Sequence, residues 1–426
     1  MAGAGHASAL LRPAHIVEGG DGPMSAVAMA RRMRIGRRVP PAAAPLCWKD
    51  LWHGVSGIFS PERSLRALEA EIRRHFAVSH VFLVSSGTAA LTLTLMALKS
   101  LSPKTEVVMP AYTCFAVPAA ILKAGLRPAL CDISPETFDF DHALLKEALN
   151  ANTLCVLSHH LFGVPSDIEG IRALCRGRGI FVVEDAAQAM GVEDKGRRLG
   201  TIGDVGIFSL GRGKNITCGS GGIILTNSAP IAEAIARHYG ELEMPRSSEV
   251  LKDFVRLVLM TIFIRPRLYW IPAALPFLRL GDTVFPKEIP LKRMSGTKAG
   301  LLRSWRSRLT QSNQVRSETA TYFSQRLSLR LAPGPSHPYL RLPILVATPN
   351  ERERLYSRSQ ECGLGLSVAY PTPINEIPEI RVAFNGQRFP SARRVAESLL
   401  TIPTHHWLSE KDKRAIAELC RDLPVA

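Results

Sequence analysis

The sequence predicts an α/β fold with a mostly parallel sheet, followed by a smaller C-terminal α+β domain. Between about residues 60 and 230, short apolar runs of strand length alternate with segments of helical periodicity, which is typical of a parallel sheet covered by helices. From residue 338 onward, one strand pattern precedes three helical ones. The 426 residues, 46% hydrophobic and 21% charged, suffice for two or three domains and exclude a disordered chain.

The predicted elements follow in chain order. Ser60 and Pro61 supply the cap and the first residue of a helix. Its apolar face comprises Leu65, Leu68, Ile72 and Phe76. Strands are predicted at 81–84, 107–109, 129–131, 154–157, 180–183, 206–209 and 223–225, with helices at 89–98 and 168–176. Further on, we expect a long polar helix region at 291–330, a strand at 339–346, and helices from 349, at 391–399 and at 409–422.

The chain is basic. Its net charge is +16, from 53 lysines and arginines against 37 acidic residues, and residues 246–330 contribute sixteen basic and five acidic side chains. Such a surface suits anionic substrates or an anionic membrane surface. No helix-turn-helix, zinc-finger or RNP motif accompanies it, so we expect no nucleic-acid partner. The eight cysteines are dispersed without a C-x-x-C pair, and we therefore expect no metal and a reducing, cytoplasmic location.

Two segments differ from the rest in composition. Residues 1–45 are rich in Ala, Gly, Pro and Arg, and we interpret them as a disordered extension, with a targeting segment as the alternative. Residues 254–280 are strongly apolar, but their longest uninterrupted run, 257–264, has eight residues, against roughly 20 needed to span a bilayer. We expect a helical insertion packed on the body or on a second subunit, or else a segment lying in a membrane interface.

Polar residues follow three of the predicted strands, where parallel α/β sheets bind ligands. Gly87 and Thr88 follow Ser86 and open a helix, and free N–H groups at such a position favour an anion. Glu184 and Asp185 follow the strand at 180–183. Placing two acids at the mouth of a sheet costs free energy unless they meet a cation or a metal, and the alternative is a solvated turn or a helix cap.

A third group lies in a glycine-rich run after the strand at 206–209 and includes Ser209 and Lys214. The phosphate-loop motif fails here, because Phe208 and Asn215 stand where it requires Gly and Ser or Thr. Lys214 is instead a candidate for Schiff-base formation with an aldehyde. An anion cradle, an acid for a pyridinium nitrogen and a lysine 29 residues beyond that acid are together what pyridoxal phosphate needs.

Several motifs are specific enough to indicate a relationship: SSGTAAL (85–91), HLFGVPSDIEGI (160–171), FVVEDAAQAMG (181–191), KGRRLGTIGDVGIFSLGRGKNITCGSGGIILTN (195–227) and YPTP (370–373). With these the chain resembles the DegT/DnrJ/EryC1/StrS family of pyridoxal-phosphate-dependent sugar aminotransferases. The resemblance implies transferase fold type I, with a mostly parallel seven-stranded sheet and a homodimer whose active site lies at the interface. It divides the chain into the extension, a large cofactor-binding domain (46–245), an apolar and basic insertion (246–290), and a linking helix with a small domain (291–426).

The resemblance also implies roles for individual residues. Lys214 would hold pyridoxal 5'-phosphate and later move a proton at the substrate carbon, and Asp185 would pair with the pyridine nitrogen. Gln188 would lie against the ring or its phenolic oxygen. The implied phosphate ligands are Gly87, Thr88 and Ser209. His160 matches a histidine of a family motif, for which a structural and a catalytic role are both open.

Three positions depart from the family pattern near the cofactor or substrate. The residue that usually stacks on the ring is Cys114 here, with Tyr112 and Phe115 nearby, so the stacking side chain is open. Ser220 replaces an acidic residue in a glycine-rich motif, and Leu291 replaces an asparagine that reaches the partner subunit's phosphate. The apolar insertion is a fourth difference from the common pattern.

The expected activity is transfer of an amino group from an amino acid, glutamate by resemblance, to a nucleotide-linked keto-sugar in cell-surface polysaccharide or amino-sugar biosynthesis. Lys214 favours this over the family's dehydratases, in which a histidine replaces the lysine. One alternative is another pyridoxal-phosphate enzyme on the same fold. The other is a non-catalytic scaffold or regulator of a surface-polysaccharide pathway, held at a membrane by residues 254–280.

Overall fold

A seven-stranded sheet lies at the centre of the computed structural model, which describes residues 36–44, 46–278, 280–281 and 283–421. Its strands are β1 (His80–Val84), β2 (Glu106–Pro110), β3 (Arg127–Cys131), β4 (Thr153–His159), β5 (Phe181–Asp185), β8 (Val205–Ser209) and β9 (Gly222–Thr226). They lie in the order β1-β9-β8-β5-β4-β2-β3, and β9 alone in this sheet runs antiparallel to its neighbours. The predicted α/β fold with a mostly parallel sheet is confirmed. A two-stranded hairpin, β6 (Glu193–Asp194) with β7 (Arg197–Arg198), lies outside the sheet.

Both faces of the sheet are buried under helices. On β2, the side chains of Val107 and Met109 belong to one apolar core and that of Val108 to the other, and all three are fully inaccessible. This explains why the strands read as continuous apolar runs rather than as alternating patterns. The helices of this region are α1 (Trp48–Phe59), α2 (Pro61–Phe76), α3 (Gly87–Leu101), α4 (Ala116–Lys123), α5 (His142–Ala148), α6 (Ile168–Cys175) and α7 (Ala229–Gly240).

The helix predicted after Ser60 is α2, with Pro61 at its first position and Leu68 and Phe76 buried. Ser60 itself makes no side-chain capping hydrogen bond, contrary to expectation. Ser60 is also the C-cap of α1, with φ −140° and ψ 62°. It therefore lacks the extended conformation of most N-cap residues. Helix α1 packs very closely on α10 (Gly296–Leu301), since a Cβ at Gly57 would lie 2.2 Å from the Gly296 carbonyl oxygen.

The C-terminal part contains a two-stranded antiparallel sheet, β10 (Arg341–Leu345) with β11 (Leu399–Pro403). Around it lie α12 (Pro349–Cys362), α13 (Pro390–Ser398) and α14 (Glu410–Leu419). Strand β11 was not expected, because a five-residue apolar run directly after a helix cannot be told from the helix by periodicity. The helix region expected at 291–330 is two elements, α10 and α11 (Trp305–Leu327).

The N-terminal segment needs a correction. Residues 1–35 and 45 lie outside the described residues, but 36–44 are part of the fold rather than of a disordered extension. Val39 is fully buried and its N–H donates to the carbonyl of Gly363 at 2.9 Å. Ala43 is buried as well, and its carbonyl accepts a hydrogen bond from Arg316 at 3.0 Å. The segment therefore packs along the C-terminal part of the chain.

The segment predicted as an insertion contains α8 (Ser247–Phe263) and α9 (Trp270–Ala273). Helix α8 is fastened to the body by two ion pairs, Glu249 with Lys292 at 2.7 Å and Asp253 with Lys298 at 2.9 Å. Its inner face buries Leu257. Contacts group residues 33–426 into one unit, and the predicted domain boundaries within it stay predictions. Among the described residues, no helix has the length and apolarity to cross a membrane.

Candidate active site

Three strand ends meet at one edge of the sheet and bring the predicted residues together. Val84 of β1 lies beside Gly222 of β9, which lies beside Ser209 of β8. On the other side of β8, Ile207 is the partner of Asp185 at the end of β5. Residues that follow β1, β5 and β8 are therefore neighbours, although β1 ends about 100 positions before β5 and β8 in the chain.

An anion cradle forms at the start of α3. The Ser86 hydroxyl accepts the Ala89 N–H at 3.0 Å and caps the helix. The N–H groups of Gly87 and Thr88, in the first turn, have no acceptor within the helix. A Cβ at Gly87 would lie 2.7 Å from the Cβ of Ser209, so the helix start and the end of β8 are in direct contact. The Ser209 hydroxyl thus stands beside free N–H donors, as a phosphate group requires.

Lys214 lies in the loop between β8, which ends at this edge, and β9, which begins there. Burial lowers the pKa of its amine, and the nearby Cys114 and Asp185 oppose that shift only in part, while the positive charge of Arg341 adds to it. A lowered pKa populates the neutral amine, which is the nucleophilic form. The environment of Lys214 is therefore that of a reactive lysine rather than of a surface charge.

Asp185 offers one free carboxylate oxygen to this site. Its Oδ1 accepts the Ala187 N–H at 3.1 Å, and its Oδ2 accepts no hydrogen bond from any residue that the structure describes. The neighbour of Asp185 on β4 is His159, whose Nε2 lies 2.9 Å from the Phe138 carbonyl and must donate to it. Burial lowers the pKa of His159, so a neutral ring flanks Asp185 and leaves its negative charge available to a cation.

Gln188 connects the segment at Phe162, which follows β4, with the C-terminal segment at Tyr370. Its Oε1 accepts the Phe162 N–H at 3.1 Å, and its Nε2 donates to the Tyr370 hydroxyl at 3.1 Å. Burial raises the pKa of Tyr370 well above the ordinary tyrosine value, and Cys114 is the next cause. Gln188 thus positions Tyr370 beside Cys114, while a direct contact of Gln188 with a cofactor ring stays a prediction.

The three candidates for stacking on the cofactor ring, Tyr112, Cys114 and Phe115, differ in how deeply they are buried. Tyr112 is fully buried, and its hydroxyl lies 3.3 Å from the Tyr370 carbonyl and 3.2 Å from the Tyr370 N–H. Phe115 is 5% exposed and stacks on the Tyr370 ring with the centroids 6.4 Å apart. Cys114 is less buried than either and is the one of the three that affects the pKa of Lys214. Cys114 is thus the most accessible of the three side chains, and which of them stacks on a cofactor ring stays open.

Glu184 precedes Asp185 on β5 and faces the opposite side of the sheet, because successive strand residues alternate. Its partner there is His160. His160 is buried, with Nε2 3.0 Å from Glu184 and Nδ1 accepting the Ser166 N–H at 3.1 Å. The Glu184 carboxylate also accepts the N–H groups of Gly200 at 2.7 Å and Ile202 at 2.5 Å. This network leaves both side chains with structural partners, which favours the structural interpretation of His160.

The Glu184 network predicts a stability loss. Burial by itself would raise the pKa of Glu184, but the hydrogen bonds from His160 and from the loop at Gly200 and Gly203 outweigh it, and the net pKa is lowered. We expect Glu184→Gln to reduce the free energy of unfolding by about 2–5 kcal/mol, because buried donors lose their acceptor. The loss should be measured by urea unfolding of the cofactor-loaded protein.

The sign of its pH dependence follows from the lowered pKa. The contribution of Glu184 is present above the ordinary glutamate pKa of about 4.3 and is lost as the pH falls from there towards the lowered pKa. The exposed Glu233 on α7 supplies the control Glu233→Gln, for which we expect no change. Equal urea midpoints for Glu184→Gln and the control would contradict this account.

Of the departures from the family pattern, Ser220 has a clear partner. Its hydroxyl accepts a hydrogen bond from Lys298 at 2.9 Å, and Lys298 pairs at the same time with Asp253 of α8. The position therefore ties the glycine-rich loop to the apolar segment. Leu291 is partly buried and packs against the apolar core.

Three residues that interact with the predicted site residues were not singled out from the sequence. They are His159, Arg341 and Tyr370. Tyr370 belongs to the YPTP motif, which marked the segment without assigning a role. Arg341 is the first residue of β10, and a charge at the start of an otherwise apolar strand was the available signal.

The residues present fit pyridoxal phosphate. The cradle of Gly87, Thr88 and Ser209 suits its phosphate, the free Oδ2 of Asp185 suits its pyridine nitrogen, and the amine of Lys214 suits its aldehyde. The fold and this site together define a member of the pyridoxal-phosphate-dependent transferases of fold type I.

The chain belongs to the DegT/DnrJ/EryC1/StrS aminotransferase family, whose model matches residues 55–250 and 291–421. It is 37% identical over 167 residues to the UDP-N-acetyl-3-dehydro-alpha-D-glucosamine 3-aminotransferase of Acidithiobacillus ferrooxidans, covering 39% of this chain and 45% of that relative. It is 34% identical over 169 residues to GDP-perosamine synthase of Vibrio cholerae, covering 40% and 46%. The chain thus spans less than half the length of these curated relatives.

Solved structures of similar proteins show the same fold. The PseC aminotransferase of Helicobacter pylori has a TM-score of 0.73 at 18% identity, with 90% of this chain and 98% of that one covered. The sugar aminotransferase CalS13 of Micromonospora echinospora has a TM-score of 0.72 at 22% identity, with 90% and 99% covered. An Escherichia coli GDP-4-keto-6-deoxy-D-mannose-3-dehydratase also matches, with a TM-score of 0.72 at 18% identity, covering 91% and 100%. Backbone similarity alone therefore does not separate the two reactions.

Proposed function

We propose that this protein is a pyridoxal-phosphate-dependent aminotransferase that moves an amino group from an amino acid, glutamate by resemblance, to a nucleotide-linked keto-sugar. The observation that carries the proposal is the partly buried Lys214, whose pKa is lowered, at the same edge of the sheet as the free carboxylate oxygen of Asp185. Membership of the family and the names of the relatives, one UDP-linked and one GDP-linked, support the substrate class. Amino-sugar or cell-surface polysaccharide biosynthesis is the corresponding process.

The chemistry divides between the cofactor and this chain. When bound, pyridoxal phosphate supplies an aldehyde that carries the amino group and a ring that accepts electrons from the reacting carbon. Asp185 holds a negative charge where the pyridine nitrogen lies, and the cradle at Gly87 holds the phosphate. Lys214 takes a proton from the donor carbon and returns one to the acceptor carbon. The amino acid becomes a 2-oxo acid while the ketone becomes an amine, so no external oxidant or reductant is needed.

Lys214 distinguishes this proposal from the dehydratase reaction. A neutral lysine amine serves both as the attachment point of the cofactor and as the proton carrier, whereas the family's dehydratases carry a histidine there. A dehydratase would remove a hydroxyl group from the sugar without adding nitrogen. The two reactions therefore give products of different mass and composition.

The test is a product assay on the cofactor-loaded protein. L-glutamate and L-glutamine are offered as donors, each with a panel of UDP-linked and GDP-linked keto-sugars, and the products are analysed by mass spectrometry. We expect a 2-oxo acid and an amino-sugar in equal amounts. An unsaturated or deoxygenated sugar without nitrogen, or the absence of a reaction with any pair, would contradict the proposal.

We further propose a homodimer with the active site at its interface, as the resemblance implies. Exposed aromatic residues on α1 support a partner surface, since Trp52 is 73% and Phe59 82% exposed, and exposed aromatic groups of this size are enriched in interfaces. Light scattering after size exclusion should give twice the mass of 46.6 kDa. A monomer at micromolar concentration would contradict this part.

Peripheral membrane contact through residues 254–280 is a separate proposal, as is the cytoplasmic location. The membrane contact is supported by an exposed apolar surface on and after α8, which includes Leu259 and Phe277. The exposed Arg256 and Arg265 accompany it. None of the eight cysteines is paired, as in a reducing compartment. Flotation with anionic vesicles tests the contact: Leu259→Ser with Phe277→Ser should reduce the bound fraction, and an unchanged fraction would contradict it.

A further inference from the structure

Helix α8 packs on the loop that carries Lys214, although most of the helix lies outside the family model. Residues 251–290, which we call the extra segment, fall between the two parts of the chain that the model matches. Leu257 on the inner face of α8 is buried, and a Cβ at Gly219 would lie 2.6 Å from its Cδ2. Gly219 also has a φ of +86°, which disfavours any side chain there. The helix and the loop between β8 and β9 are therefore in direct contact.

A nearly buried lysine joins the same helix to the same loop. The Nζ of Lys298 donates to the Ser220 hydroxyl at 2.9 Å and lies 2.9 Å from Oδ2 of Asp253. The side chain of Lys298 is 8% exposed and that of Asp253 is 40% exposed. Among the residues that the structure describes, Asp253 is the acid with which Lys298 forms an ion pair. Burying an ammonium group without a carboxylate costs free energy, so the position of Lys298 beside Ser220 depends on Asp253.

The loop needs contacts from outside because it is rich in glycine. Residues 210–222 include five glycines, and glycine loses more backbone entropy on ordering than any other residue. The loop closes where the Leu210 N–H donates to the Gly221 carbonyl at 2.8 Å. Ser220 precedes Gly221 directly, so the bond to its hydroxyl holds the loop at this closure. Lys214 lies inside the closed loop, and its position depends on the order of the whole loop.

The negative charge in this network comes from α8 rather than from the loop. Ser220 stands where the family pattern has an acidic residue. A hydroxyl accepts a hydrogen bond from an ammonium group but does not neutralise its charge. Asp253, three residues beyond the first part of the family match, supplies that charge. The loop has lost an acid, and the extra segment provides one at the same lysine.

We propose that Asp253 is a positioning residue for amino transfer, which holds the loop that carries Lys214 in its working conformation. Its carboxylate takes the place of the acid that the loop lacks, and it acts through Lys298 and Ser220. This inference rests on the proposed function. Lys214 must take a proton from one carbon and return one to another. Both steps need the amine at a fixed place, because a small displacement of a reacting group slows a reaction strongly.

Glu249 makes the other ion pair between α8 and the body, and it provides a matched comparison. Its carboxylate lies 2.7 Å from the Lys292 ammonium group, and its side chain is 43% exposed, close to the value for Asp253. In the described part of the chain, neither side chain of this pair forms a hydrogen bond or an ion pair with residues 210–222. Removing the pair should therefore loosen α8 without releasing the loop. If Asp253 only fastened the helix, loss of either acid would have the same effect.

The test measures loop order and turnover on the cofactor-loaded protein. Amide hydrogen exchange is followed in peptides from residues 210–222, and kcat and KM of both half-reactions are measured beside urea unfolding. The variants are Asp253→Asn alone, with Ser220→Asp, and with Lys298→Met, and the control is Glu249→Gln. Ser220→Asp returns an acid to the loop. Lys298→Met removes the charge that Asp253→Asn leaves unpaired.

We expect Asp253→Asn to speed amide exchange in residues 210–222 and to lower kcat of both half-reactions by about 2- to 30-fold, with KM for the keto-sugar nearly unchanged. Adding Ser220→Asp should restore kcat and the protection from exchange. Adding Lys298→Met should restore the urea midpoint, because an apolar side chain replaces an unpaired charge. It should not restore kcat, because the bond to the loop stays lost. Glu249→Gln should lower the urea midpoint and keep the wild-type kcat.

Several outcomes would overturn the inference. Asp253→Asn could show wild-type exchange and kcat, or Ser220→Asp could fail to rescue it. Recovery of kcat together with stability on adding Lys298→Met, or an equal loss of kcat in Glu249→Gln, would show a merely structural ion pair. Each of these leaves the proposed aminotransferase intact, because the wild type still transfers the amino group. If the wild type transfers none, the proposed function fails and the inference about the reaction fails with it, whereas the exchange measurement still shows whether Asp253 orders the loop.

Discussion

Replacing Lys214 with alanine is expected to reduce amino transfer by at least about 10⁴-fold, because the same amine holds the cofactor and carries the proton. The partial burial and lowered pKa of Lys214 are the physical reason, since a neutral amine is needed for both tasks. The rate should be measured with each half-reaction separately. Arg212→Ala is a suitable control, because Arg212 is exposed in the same loop. If the variant kept more than about a hundredth of wild-type turnover, the loss would be smaller than one proton carrier normally contributes. That result would contradict the assignment.

The same lysine should lower the stability of the cofactor-free protein. Because folding lowers the pKa of Lys214, the unfolded chain binds more protons between that lowered pKa and the ordinary lysine value of about 10.4. Stability therefore rises with pH across this window. Lys214→Met removes the amine and should remove this rise, which urea unfolding at several pH values would show.

Replacing Asp185 with asparagine is expected to lower kcat by about 10²- to 10³-fold, the usual effect of removing one preorganised charge from a reacting group. The Ala187 N–H would still find an oxygen, so the fold of the loop should persist. What is lost is the negative charge at Oδ2, which forms no ion pair with any residue that the structure describes. KM for the keto-sugar should change little, because the sugar does not need this charge.

The control for Asp185 is Asp194→Asn in the β6–β7 hairpin, which should leave both parameters unchanged. Asp185→Glu should be more active than Asp185→Asn, since it keeps the charge. If Asp185→Asn and the wild type had the same kcat, Asp185 would be only a loop-stabilising residue.

Much of the fold could be predicted because the sheet is buried on both faces. Each of the seven strands contains a short, mainly apolar run, and helical patterns separate several of them. Strand β11 was missed because its five buried residues follow α13 directly, and short apolar runs do not show which element they form. The ordered segment at Val39 was missed because its stability comes from contacts with Gly363, more than 300 residues away.

The candidate site could be predicted in part, for a similar reason. Gly87, Asp185 and Lys214 each follow a strand, so topology brings them together whatever the loops do. Arg341, Tyr370 and His159 reach the same place from β10, a C-terminal loop and β4. Their proximity depends on how the C-terminal domain packs on the sheet, and no local pattern encodes that. Glu184 was grouped with Asp185 by sequence, but the alternation of the strand turns it to the opposite face.

The most direct test of the central claim is the visible absorption of the purified protein with added pyridoxal phosphate, before and after L-glutamate. We predict a visible band that changes on addition of glutamate as 2-oxoglutarate appears in solution, and that differs in Lys214→Ala. Absence of any band in the wild-type protein would show that Cys114, Ser220 and Leu291 have replaced residues that cofactor binding needs. The non-catalytic interpretation would then replace the enzymatic one.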